Sequence, residues 1–136
     1  MVYRKKTDKL LDWNIRQYDK DIVEESKING DFESSNIWKI DPVFDKTHSA
    51  VFPLELCNKV IKFYSFKGDL IFDPFAGSGT LGKAAVNLDR HFFLAEKEKK
   101  YVDRIKENVG QIKLSSEKNL MPKFLSLDKF EEIAKK

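Results

Sequence analysis

The stretch DPFAGSGTLGKA, residues 73–84, carries two overlapping signatures. Gly77, Gly79 and Gly82 make a G-x-G-x-x-G, the dinucleotide fingerprint, while Gly77, Gly82 and Lys83 make most of a G-x-x-x-x-G-K phosphate loop. The flanks place this loop between a strand and a helix. DLIFD (69–73) is a compact apolar strand, and Leu81, Ala84, Ala85 and Leu88 recur at i, i+3, i+4, i+7, predicting a helix that begins near Thr80. HFFLAE (91–96) predicts a second buried strand, followed by a helix that puts Tyr101, Val102, Ile105 and Val109 on one face and is closed by Gly110. Upstream, Pro53 opens a helix through Leu54, Cys57, Val60, Ile61 and Tyr64, ending near Phe66 with Gly68 as its stop. Strand, glycine loop, helix, strand implies parallel strands and a Rossmann-like α/β sheet.

Working outward, residues 1–36 are polar and mixed in charge, with turn-rich INGDFESSN at 28–36 and helical spacing only around 10–18, and are expected to form an irregular, partly helical arm. The α/β unit spans 37–110. It is expected to open on a short strand, IWKI (37–40), and a loop punctuated by Pro42 and Pro53. The tail, 111–136, carries a weak amphipathic helix through Leu127, Phe130, Ile133 and Ala134. At 136 residues the chain has the length of one small domain, in which a missing strand or helix would be felt. Its 25 Lys+Arg against 22 Asp+Glu permit a polyanionic partner without demanding one. Cys57 is the only cysteine, which excludes an intrachain disulfide and a multi-cysteine zinc site. No window approaches the roughly 18 apolar residues of a membrane span, so a cytoplasmic protein with no membrane partner is expected.

Three ligands compete for the glycine loop. A phosphate loop needs Ser or Thr after its lysine to ligate magnesium, and that position is Ala84. A nicotinamide dinucleotide finds Glu96 about 20 residues on to accept from ribose hydroxyls. It also meets Asp73, whose carboxylate at the loop mouth repels a pyrophosphate. S-adenosylmethionine has the complementary charge distribution: an α-ammonium for Asp73, a carboxylate for the turn from Gly77 to Thr80, a ribose for Glu96, and no phosphate. Singly, each residue has a plainer reading: Asp73 as a turn cap, Glu96 as a surface acid, the glycines as a turn.

GDLIFDPFAGSGTLGKAA (68–85) is similar to the D-P-F-x-G-S-G-T cofactor motif of the DNA amino-methyltransferases, which methylate N4 of cytosine or N6 of adenine. The preceding IWKIDPVFDKTHSAVFPLELCNKVIKFYS resembles the segment that comes before this motif in the β-type order, with an H-x-A-x-F-P-x-x-L core at His48, Ala50, Phe52, Pro53 and Leu56. DRHFFLAEKEKKYVDRI resembles the family's acidic ribose motif. The resemblance runs from Ile37 to Val109. It implies the parallel-sheet half, itself incomplete, of a Rossmann-like S-adenosylmethionine-dependent methyltransferase fold. It further implies a methionine pocket from Asp73, Phe75, Gly77, Ser78, Gly79 and Thr80, with Glu96 on the ribose and Lys97 near the adenine. His48, Ser49, Phe52 and Pro53 would form the other wall, Ser49 standing where proline is common. For Phe52 and Phe75 the plainer alternative is core packing.

The family orients its target amine with a D/N/S-P-P-Y/F/W tetrad. None of the four prolines here, Pro42, Pro53, Pro74 and Pro122, adjoins another, so this sequence has no tetrad. Asp41, Pro42 and Phe44 of DPVF mimic it, but the family sets the tetrad well upstream of this segment, and a turn into the cofactor wall is the favoured reading. The resemblance therefore implies DNA as substrate and a second polypeptide carrying the tetrad, with residues 1–36 a remnant of a target-recognition region. A regulatory cofactor-binding remnant and a nicotinamide-dependent protein are the rivals.

Overall fold

The computed structural model describes residues 15–29, 37–44, 51–110 and 123–135. After a 3-10 turn at Ile15–Gln17 come helices α1 (Lys20–Glu25) and α2 (Leu54–Tyr64), strand β1 (Leu70–Asp73), helix α3 (Thr80–Asn87), strand β2 (His91–Leu94), and helices α4 (Lys99–Gly110) and α5 (Leu127–Ala134). β1 and β2 pair in parallel, Leu70 opposite His91 and Asp73 opposite Leu94. Parallel strands need a crossover, and α3 supplies it.

Residue alternation splits the sheet into two unlike faces. Ile71, Phe92 and Leu94 turn toward the helices. Cys57 and Ile61 of α2 and Ala84 and Ala85 of α3 form one buried cluster, against which Ile71 and Phe92 pack. Ala76, Ile105 and Val109 form a second, closed by Phe92 and Leu94, so Phe92 joins the two. The crossover helix approaches closely because Gly82 has no side chain: a Cβ there would lie 2.7 Å from Leu94 Cδ1. On the other face, Leu70 is 65% exposed, Phe72 59% and Phe93 40%. Phe72 and Phe93 stack on each other at 5.6 Å between ring centroids, and Phe130 of α5 reaches Phe93 at 5.5 Å.

Three expectations change. IWKI is not a strand: among the described residues no strand lies beside it to complete a ladder, and Trp38 instead packs its ring on Phe63 of α2 at 5.3 Å. α2 stops at Tyr64 rather than near Phe66, because Ser65 turns to extended backbone while its Oγ donates to the Ile61 carbonyl at 2.6 Å. Gly68, at φ +83°, shapes the turn into β1 instead of ending the helix. The predicted strands also shorten, β1 beginning at Leu70 and β2 ending at Leu94.

The two ends of the sheet are held differently. At the start of β1, Arg90 is buried among oxygens, donating to the Ser65 hydroxyl and carbonyl and to the Leu88 carbonyl, and burial lowers its pKa. The described part of the arm docks at this end: Tyr18 donates to Asp69 at 2.7 Å, and Ser26 Oγ accepts from the Lys67 amide at 2.9 Å. The glycine loop lies at the opposite end. Among the described residues no helix is long and apolar enough to cross a membrane, and no cluster of three or more His, Cys, Asp or Glu is placed to hold a metal ion.

Candidate functional site

In an open parallel sheet, ligands bind beyond the carboxyl ends of the strands, where the loops are free of ladder pairing. Here that end is built from Asp73, which closes β1, and Ala95 and Glu96, which follow β2. The Ala95 amide donates to the Asp73 carbonyl at 2.9 Å and the Ala76 amide to the Ala95 carbonyl at 3.0 Å, so the loop folds back onto the second strand. Asp73 Oδ1 accepts from the Phe75 amide at 3.0 Å, the turn-cap arrangement. Glu96 does more than sit at the surface. One of its oxygens accepts from the Gly77 amide at 2.8 Å and the other from the Glu98 amide at 2.9 Å, which binds loop to strand through charge-assisted hydrogen bonds. A carboxylate offers about four lone-pair sites, so each acid keeps acceptor capacity for a ligand.

Gly77 and Gly79 have φ of +53° and +79°, a backbone that L side chains rarely adopt. Gly79 is the N-cap residue of α3 and brings no side-chain cap, so the amides of the first turn keep the positive end of the helix open toward the mouth. The Ser78 and Thr80 hydroxyls pair at 3.1 Å beside it. Ile105 of α4 closes behind the loop, where a Cβ on Gly79 would approach its Cγ1 to 2.9 Å.

The structure brings Asp73, Gly77, Ser78, Gly79, Thr80 and Glu96 together around one mouth, with Lys97 exposed next to Glu96. Core packing of the two phenylalanines is overturned: Phe75 is 88% exposed and Phe52 65%. Pro53 caps the start of α2. Asp41, Pro42 and Phe44 lie in exposed, irregular chain. His48 and Ser49 lie outside the described residues.

Two contributors were missed by sequence reasoning. Asn108 Nδ2 donates to the Ser78 carbonyl at 3.0 Å, fixing the loop from α4. Its signal was a lone amide beside the apolar positions Ile105 and Val109. The pKa of the buried Cys57 thiol, on α2, is pushed up to about 11, first by burial and then by the negative charge of Asp73. Along β2, a cleft of about 590 Å³ lies between α4 on one side and α5 with the segment leading into it on the other, with Phe92, Leu94, Glu96, Val102, Ile105, Phe124 and Phe130 among its lining residues.

The family model described as DNA methylase, of the N6/N4 type, matches residues 1–107. The chain is 38% identical over 91 residues to the Type II methyltransferase M2.MboI of Moraxella bovis, covering 63% of this chain and 33% of that protein. It is 41% identical over 86 residues to the Type II methyltransferase M.BglI of Bacillus subtilis, covering 62% and 25%. Among solved structures, TTHA0409 of Thermus thermophilus, titled a DNA modification methylase, superposes with a TM-score of 0.56 at 31% identity, over 79% of this chain and 40% of that one. Its complex with S-adenosyl-L-methionine gives 0.53 at 29% identity, over 79% and 38%. The chain thus spans a quarter to a third of the curated relatives named here.

Proposed function

Because the chain belongs to the DNA methylase family of the N6/N4 type, we propose that it forms the S-adenosylmethionine side of an enzyme that methylates an exocyclic amine of DNA, cytosine N4 or adenine N6. The observation that carries this reading is the convergence of two carboxylates on an uncapped helix N-terminus. Asp73 and Glu96 follow adjacent parallel strands, and the first turn of α3 opens between them.

The donor set fits this cofactor. The α3 amides and the Ser78 and Thr80 hydroxyls would receive its carboxylate, Asp73 its ammonium, Glu96 its ribose hydroxyls, and the apolar cleft that Glu96 helps to line its adenine, with Lys97 and Phe75 as further contacts. Phe52 and Pro53, at the head of α2, would form the opposite wall. When bound, the cofactor supplies an electrophilic methyl on a sulfonium. What this chain contributes is orientation: Glu96 holds the Gly77 amide before any ligand arrives, so little loop ordering remains to be done on binding. A pyrophosphate is disfavoured at the same mouth, where Asp73 would face it.

Moving a methyl to an amine also requires the amine to be held in line with the sulfonium and to lose a proton. This sequence contains no D/N/S-P-P-Y/F/W tetrad to do so. The acceptor groups therefore come from a complementing polypeptide, and the chain alone transfers nothing. Calorimetry with S-adenosylmethionine against NAD tests the first part: NAD binding more tightly would refute it. Incorporation of labelled methyl into duplex DNA, by the chain alone and mixed with a tetrad-bearing polypeptide, tests the second. Robust incorporation by the chain alone would return residues 41–44 to candidacy, and none from any mixture would identify a regulatory remnant.

A further inference from the structure

Two residues on one face of α4 hold the glycine loop from behind. Ile105 stands where a Cβ on Gly79 would come within 2.9 Å of its Cγ1, and Asn108, at i+3 from it, donates from Nδ2 to the Ser78 carbonyl at 3.0 Å. Gly77 and Ser78 form the centre of a turn that the Gly79 amide closes on the Ala76 carbonyl at 2.8 Å. The peptide unit between Ser78 and Gly79 is therefore gripped at both ends, its oxygen by Asn108 and its N–H by Ala76. The α3 ladder starts only with the Lys83 amide, which donates to the Gly79 carbonyl at 3.0 Å, so the amides of Thr80, Leu81 and Gly82 precede it and stay available to a ligand. Ser78 is buried, and a carbonyl there that lost its donor would regain one only by rotating its peptide toward the mouth.

We infer that Asn108 is a positioning residue for the cofactor's carboxylate: by holding the Ser78 carbonyl back toward α4, it keeps that oxygen out of the mouth and leaves the α3 amides to face an anion. The inference rests on the S-adenosylmethionine site proposed above and deepens it, because it ties recognition of one group of the cofactor to a residue behind the loop. Charge explains why one carbonyl matters. The mouth already holds two carboxylates, Asp73 and Glu96, so a third, brought by the ligand, is accepted only where donors alone meet it. A carbonyl turned into that space would set its negative end against the ligand's oxygens. It would also disturb the Ser78 and Thr80 hydroxyls, which pair at 3.1 Å beside the same amides. The ammonium and the ribose, held by Asp73 and Glu96, would not meet it.

The test is calorimetry on the full chain with three probes: S-adenosylmethionine, its decarboxylated form, which lacks only the carboxylate, and 5′-methylthioadenosine, which lacks the whole amino-acid portion. The wild type should bind S-adenosylmethionine more tightly than the decarboxylated form. Asn108→Leu keeps the size of the side chain and removes the donor. It should lose about tenfold on S-adenosylmethionine, the worth of one hydrogen bond, and leave the other two probes at their wild-type affinity. Asn108→Gln, which keeps a donor, should recover part of the lost selectivity. If Asn108→Leu fails to fold by thermal melting, Asn108→Ala carries the same expectation. An equal loss on all three probes overturns the inference, since a merely structural role would weaken them alike. So does an unchanged affinity for S-adenosylmethionine. A wild type that binds S-adenosylmethionine and its decarboxylated form equally overturns it too, and leaves the cofactor reading standing. A wild type that binds none of the three removes the cofactor reading and this inference with it.

Discussion

The two faces of the same two-stranded sheet have opposite fates. Ile71, Phe92 and Leu94 meet Ile61, Ala84, Ala85 and Ile105 in close contact, whereas Leu70 and Phe72, one residue away along the strand, meet mostly solvent. Both faces are equally apolar in sequence. The difference shows that a strand's composition specifies that it wants to be covered on both sides, and only the available helices decide which side is.

The strongest way to sharpen that contrast is to truncate one residue on each face. Ile61→Ala, at the largest fully buried side chain, should cost about 2–5 kcal/mol. Phe72→Glu should cost less, about 0.5–1.5 kcal/mol for the lost ring contact with Phe93, because more than half of its surface already faces water. Urea unfolding of the two variants measures both. Equal losses would mean the second face is covered in solution.

Gly79→Ala asks how tightly the covered side holds the loop. The new Cβ would occupy a left-handed backbone position and press on Ile105, at a cost of about 1–3 kcal/mol in the same unfolding assay.

At the mouth the expected loss is in affinity. Asp73→Asn should weaken S-adenosylmethionine by about 1–3 kcal/mol, the worth of a charge-assisted hydrogen bond. Glu96→Gln should weaken it as well and also loosen the loop, since the charged acceptor of the Gly77 amide goes with it. Lys83→Ala should leave affinity unchanged. Calorimetry at one salt concentration decides all three, and an unchanged Asp73→Asn would reduce that residue to its turn-cap role.

The smallest effect lies at the far end of β1. Tyr18→Phe removes the bond to Asp69 and should cost about 0.5–1.5 kcal/mol. That bond, with burial and the charge of Asp69 behind it, raises the phenol from 10.0 to about 12, so the folded state holds this proton more tightly than the unfolded chain does. Its contribution is complete below pH 10 and is lost as pH rises toward 12. The wild type should therefore lose stability over that window relative to Tyr18→Phe. Parallel unfolding curves across it would show that the arm is not held by this bond.

What the sequence by itself determined were the features written within ten or so consecutive residues: the 3.6-residue stripes of α2, α3 and α4, the apolar runs of β1 and β2, and the loop between Asp73 and Thr80, begun by α3 where the stripe said it would. Three motifs in order were enough to point to the family. Tertiary structure alone decided what depends on which segments meet. That Glu96 holds the glycine loop was not legible in spacing, because the Glu96–Gly77 bond joins residues 19 apart. Asn108 reaches Ser78 from 30 residues away, and no local pattern marks that meeting. IWKI had strand composition and found no strand to pair with among the described residues, so Trp38 went to α2. Phe52 and Phe75 were as apolar as any core residue and ended exposed, because burial is settled by the neighbours a side chain finds and not by its own hydrophobicity.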